Sequence, residues 1–239
     1  MGISAILLAY KEEENLRVLL PEIKSYVEMC GEPYEMIVVD AAEPGDNTAE
    51  VCASHDVFYI NQEEPGFGGA FRTGIKYAKM DKFLILDGDG SHPPKYIPDI
   101  HREFVEENCD VVIGSRYVKG GKTDDSKTSV WMSHILNLTF RICLGIKAKD
   151  ISTDYRMYDT NQLKKVQLIS TNYDVLQEVL LKLKLNNKSL KIGEVPIHFQ
   201  KRLFGDSKRQ LFKFIVSYIK TLFRLLGMRV THWTRRENR

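Results

Sequence analysis

The sequence predicts an α/β protein with a mainly parallel central sheet flanked by helices. Short apolar runs alternate along the first half of the chain with segments whose apolar residues recur every three or four positions. Polar or charged residues stand directly after several of these runs, where a parallel sheet binds its ligands. The chain has 239 residues, of which 43% are hydrophobic and 28% charged, which excludes the collagen-like, low-complexity and wholly disordered classes.

Five apolar runs in the first half predict buried strands, because strands covered on both faces are apolar without alternation. The predicted strands are Ile3–Ala9, Met36–Asp40, Val57–Ile60, Phe83–Asp87 and Asp110–Gly114. The polar residues at or just past the carboxyl ends of these strands are Tyr10, Asp40, Asp87 and Arg116. We therefore expect these four side chains at one edge of the sheet, where a ligand would bind.

Four segments between the strands predict helices. The first has Leu16, Leu20 and Ile23 about one turn apart, which is the spacing of an amphipathic helix. The third follows a glycine-rich turn at 66–69 that lacks the Gly-Lys-Ser/Thr ending of a phosphate-binding loop, so we expect it to allow close helix–strand packing. The predicted helices are Glu12–Cys30, Pro44–His55, Gly66–Met80 and Lys95–Glu107.

The second half of the chain is less regular. Residues 119–127 are polar and contain glycine, which predicts a mobile loop. Two apolar segments after it predict helices, and a third predicts a strand in which Pro196 favours an edge position. A long helix is predicted after Gly205. These four segments are Val130–Gly145, Leu176–Leu185, Lys191–Phe199 and Lys208–Leu226.

The end of the chain is strongly basic. Residues 201–239 contain 11 Lys and Arg and two acidic residues, whereas residues 1–200 contain 23 basic and 30 acidic residues. Apolar residues of 210–226 form one stripe of a helix, and the opposite stripe consists of Lys213, Ser217, Lys220, Thr221 and Arg224. This pattern is typical of a helix that lies in a membrane interface. The alternative is a helix packed on the protein's own core.

The sequence predicts a peripheral rather than a spanning relation to the membrane. The apolar run Ile3–Ala9 has no basic region before it and no small-residue cleavage site after it, so we expect no secretory signal. No stretch of 18 apolar residues occurs, and the nearest candidate, Thr128–Ile146, contains Arg141 and several polar residues. We interpret Trp131–Gly145 as a candidate for a second interfacial helix.

Two carboxylates, Asp87 and Asp89, follow the fourth predicted strand with only Gly88 between them. Both can approach one divalent cation, because Mg²⁺ and Mn²⁺ prefer oxygen ligands and Mg²⁺ commonly binds one or two carboxylates together with substrate phosphates. Gly88 keeps the backbone accessible to a ligand. The alternative is an acidic turn, since aspartate and glycine are common turn formers.

Several further motifs are informative because of their order along the chain. They are the segments 6–16, 37–40 and 66–74, the Asp-Gly-Asp motif at 87–89, and the segments 114–117, 150–156 and 194–208. This order resembles the family-2 glycosyltransferases of GT-A fold over about residues 3–226. Arg202 and the block Gly205-Asp206-Ser207-Lys208 make the resemblance greatest to the dolichol-phosphate mannose synthase branch, whose members load a sugar from a nucleotide donor onto a polyprenyl phosphate.

The resemblance implies a GT-A catalytic domain at 1–208 and a basic, amphipathic, membrane-associating tail at 209–239. It implies an inverting transfer of a hexose, with mannose favoured, from a nucleotide-diphosphate sugar, with GDP-mannose favoured, to a dolichyl or undecaprenyl phosphate. The expected cofactor is Mg²⁺ or Mn²⁺. The expected location is the cytoplasmic side of a membrane, with the membrane surface as a partner.

The resemblance also implies roles for individual residues. The base and ribose pocket would be lined by Leu8, Tyr10, Glu12, Val38 and Asp40. Asp87, Gly88 and Asp89 would contact the donor diphosphate, with the two aspartates as metal ligands and Ser91 as a weaker candidate. The cations that would hold phosphate groups are Arg116, Arg202 and Lys208. Asp89 and Arg116 are the residues that we expect to be catalytic.

Several other residues of the expected site have more than one interpretation. Asp150, Asp154 and Arg156 would form an internal set of ion pairs on the acceptor side, and the alternative for Asp150 is a catalytic base. We interpret His92 as part of the entry to the helix that follows the motif, and the alternative is contact with the substrate. Leu8 stands where the family usually has proline, and residues 41–43 also differ from the family, so the nucleotide base stays open.

Two other functions remain as alternatives to lipid-linked transfer. One is a transferase of the same fold with a soluble sugar acceptor, and the other is a non-catalytic relative that binds membranes. A nucleotidyltransferase would require a glycine-rich, arginine-containing loop after the first strand, and residues 10–13 do not supply one. The basic tail permits nucleic acid, but no nucleic-acid-binding module is recognisable, so we expect no such partner.

Overall fold

The central element is a seven-stranded sheet with the strand order β3-β2-β1-β4-β7-β5-β8. A computed structural model describes residues 1–204 and 211–237, although the side chains of 211–217 and 232–237 are not included in the description. The strands are β1 (Ile3–Leu8), β2 (Tyr34–Asp40), β3 (Phe58–Asn61), β4 (Lys82–Asp87), β5 (Val111–Ser115), β6 (Lys122–Thr123), β7 (Arg156–Asp159), β8 (Ile192–Pro196) and β9 (His198–Phe199). Strands β6 and β9 form a separate two-stranded parallel sheet.

Eight α-helices flank the sheet in the part of the chain that is described, and a short 3-10 helix at Pro94–Tyr96 precedes the fourth of them. They are α1 (Glu13–Glu28), α2 (Thr48–Ser54), α3 (Phe67–Tyr77), α4 (Ile97–Glu106), α5 (Lys127–Leu144), α6 (Thr160–Lys164), α7 (Val175–Asn186) and α8 (Leu211–Glu237). Side chains of α1, α2 and α4 pack on one face of the sheet. Those of α3, α5, α6, α7 and α8 pack on the other, so the protein has three layers and two apolar cores.

The predicted α/β class and the mainly parallel sheet are confirmed, with one antiparallel strand that the sequence did not predict. Strand β7 lies between β4 and β5 and runs antiparallel to both. It contains only four residues, and its ends are Arg156 and Asp159, so no apolar run marks it. Pro196 ends the edge strand β8, as expected for a residue that cannot donate a ladder hydrogen bond.

Several predicted boundaries were wrong. The second helix begins at Thr48 rather than at Pro44, because Pro44 and Gly45 are irregular and a bend at residues 46–47 precedes the first helical turn. The predicted strand Lys191–Phe199 is divided at Ile197 into β8 and β9, which belong to different sheets. The predicted loop at 119–127 contains β6, which pairs with β9, and α5 starts at its last residue.

Helix α8 is packed on the domain by one side. Tyr218 and Leu225 are buried, and the ring of Tyr218 meets Phe140 of α5 edge-on at 5.6 Å between centroids. Arg224 and Thr221 both donate hydrogen bonds to Asp174 Oδ2, at 2.9 and 3.0 Å. The helix extends to Glu237, beyond the predicted end at Leu226, whereas its predicted start at Lys208 lies outside the described residues.

Within residues 1–204 and 211–237, no helix combines the length and the apolar character that a membrane span needs.

Candidate active site

The carboxyl ends of three neighbouring parallel strands bring the predicted donor residues to one edge of the sheet. Leu8, the last residue of β1, is in register with Val39 of β2 on one side and with Asp87 of β4 on the other. Asp40 ends β2 one residue further along. The expectation that these strand ends meet is therefore confirmed by the sheet order.

The acidic motif forms a tight loop directly after β4. The backbone N–H of Gly88 donates to Leu8 O at 3.3 Å, and that of Ser91 donates to Asp89 Oδ1 at 2.9 Å. Gly90 has a φ of +81°, and a Cβ at this position would collide with the side chain of Leu203. Glycine is therefore required both for the turn and for the close approach of the later segment.

The segment after β9 lies over this loop and brings Arg202 to Asp89. Arg202 Nε is 3.0 Å from Asp89 Oδ2, and Nη1 is 3.6 Å from Glu12 Oε1. The backbone N–H groups of Gln200 and Leu203 donate to Ser91 O and Asp89 O, each at 3.0 Å. Three residues far apart in sequence, Glu12, Asp89 and Arg202, thus form one charged cluster. Lys208, the next predicted cation, lies outside the described residues.

Three side chains of types that commonly bind metals lie close together beside the loop. Of the two predicted metal ligands, only Asp87 belongs to this group. One side-chain ligand atom each from Asp87, His92 and Asp154 lies within 4.8 Å of the others. Ser91 Oγ is buried without a hydrogen-bond partner. The oxygen donors of Asp87, Asp89, Ser91 and Asp154 suit a hard divalent cation, so the residues fit Mg²⁺ or Mn²⁺.

The environment of His92 favours the neutral imidazole. The ring is buried, and burial lowers the pKa of His92 below its ordinary value, although the charges of Asp154 and Asp89 act in the opposite direction. The sequence interpretation of His92 as a helix-entry residue is incomplete, because the ring also contacts Thr153 and Phe199.

Arg116 is held by Asp150 in a buried ion pair. Nε donates to Asp150 Oδ2 at 2.8 Å and Nη2 to Oδ1 at 2.9 Å, while the backbone N–H of Arg116 donates to Oδ2 at 3.0 Å. Burial alone would raise the pKa of Asp150, but the charge and hydrogen bonds of Arg116 outweigh it and hold this pKa below its usual value. A carboxylate with these properties is a poor proton acceptor, which argues against Asp150 as a base.

Arg156 does not take part in the ion-pair set that the sequence suggested. Its guanidinium donates to the carbonyl oxygens of Thr153, Leu176 and Ile151, at 2.7, 2.9 and 2.8 Å, and to Tyr158 Oη at 3.0 Å. Backbone carbonyls rather than carboxylates therefore satisfy this fully buried cation. Its role is to connect β7, α7 and the segment before β7.

A pocket opens beside the acidic loop, and residues from both halves of the chain line it. Its lining residues are Asp87, His92, Arg116, Ser133, Leu136, Ser152, Thr153, Asp154, Tyr173, Phe199 and Tyr218. Ser133 and Leu136 come from α5, Tyr218 comes from α8, and Tyr173 precedes α7. None of these four was expected at the site, because Leu136 and the two tyrosines predict core packing equally well and a single serine carries no signal.

The predicted base and ribose residues differ in exposure. Val38 and Asp40 are fully buried, while Tyr10 is exposed. Tyr59 Oη donates to Asp40 Oδ2 at 3.0 Å, and burial raises the pKa of Asp40 above its ordinary value. Their assignment to the donor pocket stays a prediction.

The glycine-rich turn before α3 allows close packing, but its partners are irregular segments rather than the strand that was predicted. A Cβ on Gly68 would collide with the backbone of Ser170, and one on Gly69 with the backbone of Glu64. Gly66 has a φ of +83°, which glycine adopts without strain. The turn thus fixes the start of α3 against the segment before α7.

We expect Asp150→Asn to lower the free energy of unfolding by about 3–5 kcal/mol, because the buried Arg116 loses its bidentate partner and keeps only the more distant Asp125, at 3.6 Å. A lowered pKa means that Asp150 stabilises the protein at neutral pH. This contribution is lost as the pH falls through the folded-state value, which lies below the ordinary value of about 3.9. Urea unfolding from pH 7 down to pH 3 measures both effects, with the exposed Asp99→Asn as the control. If Asp150→Asn keeps the stability of the wild type but loses transfer activity, Asp150 is instead a catalytic base.

Comparisons with known proteins agree with this architecture. Residues 4–167 match the family model described as glycosyl transferase family 2. The chain is 31% identical to a dolichol-phosphate mannosyltransferase of Pyrococcus furiosus over 95% of its own length and 64% of the relative's. It is 32% identical to an undecaprenyl-phosphate mannosyltransferase of Micrococcus luteus over 87% of each chain. The chain thus spans less than two thirds of the length of the first of these relatives.

A solved structure has the same fold at low sequence identity. Glucosyl-3-phosphoglycerate synthase from Mycobacterium tuberculosis, in complex with Mn²⁺, UDP and glucosyl-3-phosphoglycerate, superposes with a TM-score of 0.72. The sequences are 18% identical, and the superposition covers 95% of this chain and 80% of the other. The predicted GT-A fold is therefore confirmed. With the family model matching more than half of its residues, the chain belongs to glycosyl transferase family 2.

Proposed function

We propose that the protein is an inverting glycosyltransferase that moves a hexose, with mannose favoured, from a nucleotide-diphosphate sugar, with GDP-mannose favoured, to a polyprenyl phosphate. The observation that carries this proposal is the acidic loop of Asp87 and Asp89 beside a pocket that reaches α5 and α8. A diphosphate with a divalent cation suits the loop. The two helices that reach the pocket also expose apolar residues on their outer faces, which suits an acceptor phosphate on an apolar chain.

The names of the relatives support the lipid acceptor. Proteins named for dolichol-phosphate and undecaprenyl-phosphate mannosyl transfer are 31% and 32% identical to the chain. A polyprenol monophosphomannose synthase of Mycolicibacterium smegmatis is 27% identical over 85% of this chain. The sugar and the lipid of this protein are inferred from these names, whereas GDP as the nucleotide is inferred from the resemblance of the sequence.

The proposed reaction is a single displacement. The second pKa of a phosphomonoester is about 6, so the acceptor phosphate is already largely dianionic at neutral pH and needs no base. One of its oxygens forms the new bond to the anomeric carbon while the bond from that carbon to the donor diphosphate breaks. The departing nucleoside diphosphate takes the electron pair, and the configuration at the anomeric carbon is inverted.

The chain's own residues position the two phosphate-bearing substrates. Asp87 and Asp89 would hold Mg²⁺ or Mn²⁺, which when bound supplies Lewis-acid stabilisation of the diphosphate. Arg202 and Lys208 would hold phosphate oxygens, because Arg offers two parallel donors and Lys a compact charge. Arg116 lines the pocket while Asp150 fixes its orientation, so it would place a positive charge at the acceptor side.

The membrane surface is a proposed partner because α5 exposes an apolar stripe. Trp131, Ile135, Leu138 and Ile142 are all exposed, and they follow one another at intervals of three or four residues on one face. A contiguous exposed stripe of this kind is typical of an interaction site rather than of a free surface. Ser133 and Leu136 line the pocket from the opposite face of the same helix, so lipid at the stripe would lie about one helix diameter from the acceptor phosphate.

Helix α8 also exposes apolar residues. Ile219 and Phe223 are exposed on the side of α8 away from the buried Tyr218 and Leu225. One side of the helix thus packs on the domain while the other is available to lipid. The helix would therefore be both a core-packing helix and a membrane-interface helix, the two interpretations that the sequence left open. We therefore propose residues 1–208 as the catalytic domain and 209–239 as the membrane-associating tail, located peripherally on the cytoplasmic side.

A transfer assay tests the proposed function. Purified protein is incubated with Mn²⁺ and radiolabelled GDP-mannose, GDP-glucose, UDP-glucose or UDP-galactose, with undecaprenyl or dolichyl phosphate in detergent, and label in the organic extract is counted. We expect GDP-mannose to be used best, EDTA to stop the transfer and added Mg²⁺ or Mn²⁺ to restore it. Transfer to 3-phosphoglycerate or to free sugars but not to lipid would overturn the proposal in favour of a soluble acceptor.

We expect Arg202→Ala to lower kcat/KM by about 10- to 100-fold, the loss that follows removal of a charge-assisted hydrogen bond to phosphate. The matched control is Arg102→Ala on α4, because Arg102 is exposed and pairs with Asp99 away from the site. Steady-state kinetics with both substrates varied gives the comparison. Equal, small effects in the two variants would show that Arg202 is only a surface charge.

A further inference from the structure

We propose that His92 is a positioning residue that fixes the acidic loop relative to the segment carrying Thr153 and Asp154 across the pocket. Its side chain is 1% exposed, and it contacts three separate parts of the chain. The kinetic part of this inference rests on the proposed function, whereas its metal-binding part does not.

The hydrogen bonds of His92 determine which ring nitrogen carries the proton. Nδ1 lies 3.4 Å from the backbone nitrogen of Asp87, and a backbone N–H can only donate, so Nδ1 accepts. In the neutral ring the proton is then on Nε2. Nε2 lies 3.3 Å from Thr153 Oγ1 and 3.6 Å from Asp154 Oδ1, so it donates towards this segment.

This assignment separates His92 from the carboxylates beside it. Its Nδ1 lone pair is used by the Asp87 N–H and its Nε2 carries the proton, so neither nitrogen is free to bind a cation. His92 therefore orients Asp87, which is a candidate ligand, rather than acting as one. Residues that orient metal ligands in this way commonly change metal affinity by about 10- to 100-fold when they are replaced.

The packing of the ring makes the connection rigid. The ring centroid lies 5.1 Å from that of Tyr155 and 5.2 Å from that of Phe199, the latter edge-on. Asp87 precedes the loop, Tyr155 precedes β7, and Phe199 ends β9, so the ring joins three segments at one point. Asp87 and Asp154 both line the pocket, and His92 between them sets their separation.

This separation matters because the reaction joins two bound molecules. The donor diphosphate would lie at the acidic loop, and the acceptor phosphate would lie on the side of Arg116 and Ser152. A displacement of the order of 1 Å between reacting groups can reduce a rate by about 100-fold. A side chain that holds both halves of the pocket therefore acts on turnover and on metal binding through different hydrogen bonds.

Two substitutions separate the two hydrogen bonds. In His92→Asn the amide oxygen can occupy the position of Nδ1 and accept from the Asp87 N–H, but the side chain is too short to reach Thr153. In His92→Gln the amide can occupy the position of Nε2 and contact Thr153, but the Asp87 N–H loses its acceptor. His101→Gln on α4 is the matched control, because His101 is largely buried and bonds Glu32 at 3.1 Å away from the pocket.

The measurements are Mn²⁺ binding by calorimetry with GDP present, the melting temperature, and kcat and KM in the transfer assay. We expect His92→Gln to weaken Mn²⁺ binding by about 10-fold or more. We expect His92→Asn to bind Mn²⁺ within about threefold of wild type but to lose about 10- to 100-fold in kcat. Thr153→Val removes the nearer partner of Nε2 without changing the ring and leaves Asp154 at 3.6 Å, so it should lower kcat with little change in Mn²⁺ binding, as His92→Asn does, even if that variant folds poorly.

Three outcomes would overturn the proposal. One is wild-type Mn²⁺ binding and turnover in both His92 variants. Another is a parallel loss of Mn²⁺ binding, kcat and melting temperature in both, which is the result of a merely structural residue. The third is wild-type protein that binds no Mn²⁺. Failure of wild-type protein to transfer mannose, with the Mn²⁺ difference between the variants intact, would refute the proposed function and retain the positioning role of His92.

Discussion

Asp87→Asn and Asp89→Asn are each expected to lower transfer by about 1,000-fold or more while the protein stays folded. An amide keeps the shape of the carboxylate but loses the charge that attracts a divalent cation, and such a cation supplies several kcal/mol of transition-state stabilisation. The loss at Asp87 should be at least as large as that at Asp89. Asp87 lies in the pocket with Asp154 nearby, whereas Asp89 is already paired with Arg202.

The matched control for both variants is Asp56→Asn. Asp56 is exposed and precedes β3, so it lies at the amino-terminal edge of the sheet, opposite the site. Its φ of +56° is also tolerated by asparagine. Transfer is measured across a range of Mn²⁺ concentrations, and folding by circular dichroism. Near-normal turnover of a folded Asp89→Asn variant at moderate Mn²⁺ would refute the assignment of Asp89 to the metal.

The part of the site that the sequence predicts depends on local features. Apolar runs identify β1, β2 and β4, and a parallel sheet brings the ends of neighbouring strands to one edge. The positions of Leu8, Asp40 and Asp87 follow from this rule alone. The acidic loop is also local, because its glycine and its two carboxylates occur within three residues.

The rest of the site depends on contacts between distant residues, which no local pattern encodes. Arg116 was predicted to hold a phosphate, but its partner Asp150 is 34 residues away and its orientation becomes evident only when β5 and the segment before β7 are adjacent. Arg156 was expected to pair with carboxylates. It instead donates hydrogen bonds to backbone carbonyl oxygens of the irregular segment before β7 and of the start of α7.

The two faces of α5 could be recognised only in part from the sequence. A nearly continuous apolar segment predicts a helix, but periodicity does not show which residues pack inward. Phe140 and Leu144 are buried in the core, while Ile135 and Ile142 are exposed. The difference arises because α8 and the sheet cover only one side of α5. This difference defines the surface for the remaining prediction.

The triple variant Trp131→Ser, Ile142→Ser and Phe223→Ser is expected to bind lipid vesicles about 100-fold more weakly than wild type. These side chains are 66%, 69% and 69% exposed, so their replacement leaves the core intact. Insertion of each into lipid contributes on the order of 1 kcal/mol, which is part of the 1.5–3 kcal/mol of a fully buried side chain. Deleting residues 209–239 would be a poorer test, because Tyr218 and Leu225 belong to the core.

Flotation with vesicles of phosphatidylcholine and phosphatidylglycerol, at low and at high salt, measures this binding. The matched control is Val18→Ser, Met29→Ser and Val105→Ser, three exposed apolar residues on or next to α1 and α4 on the opposite side of the sheet. Salt should release only part of the wild-type protein, because the basic residues of 201–239 are screened whereas apolar insertion is not. If both triple variants float like wild type, the stripe on α5 and α8 is not the lipid-binding surface. If wild type is released completely by salt, attraction of the basic tail alone accounts for the binding.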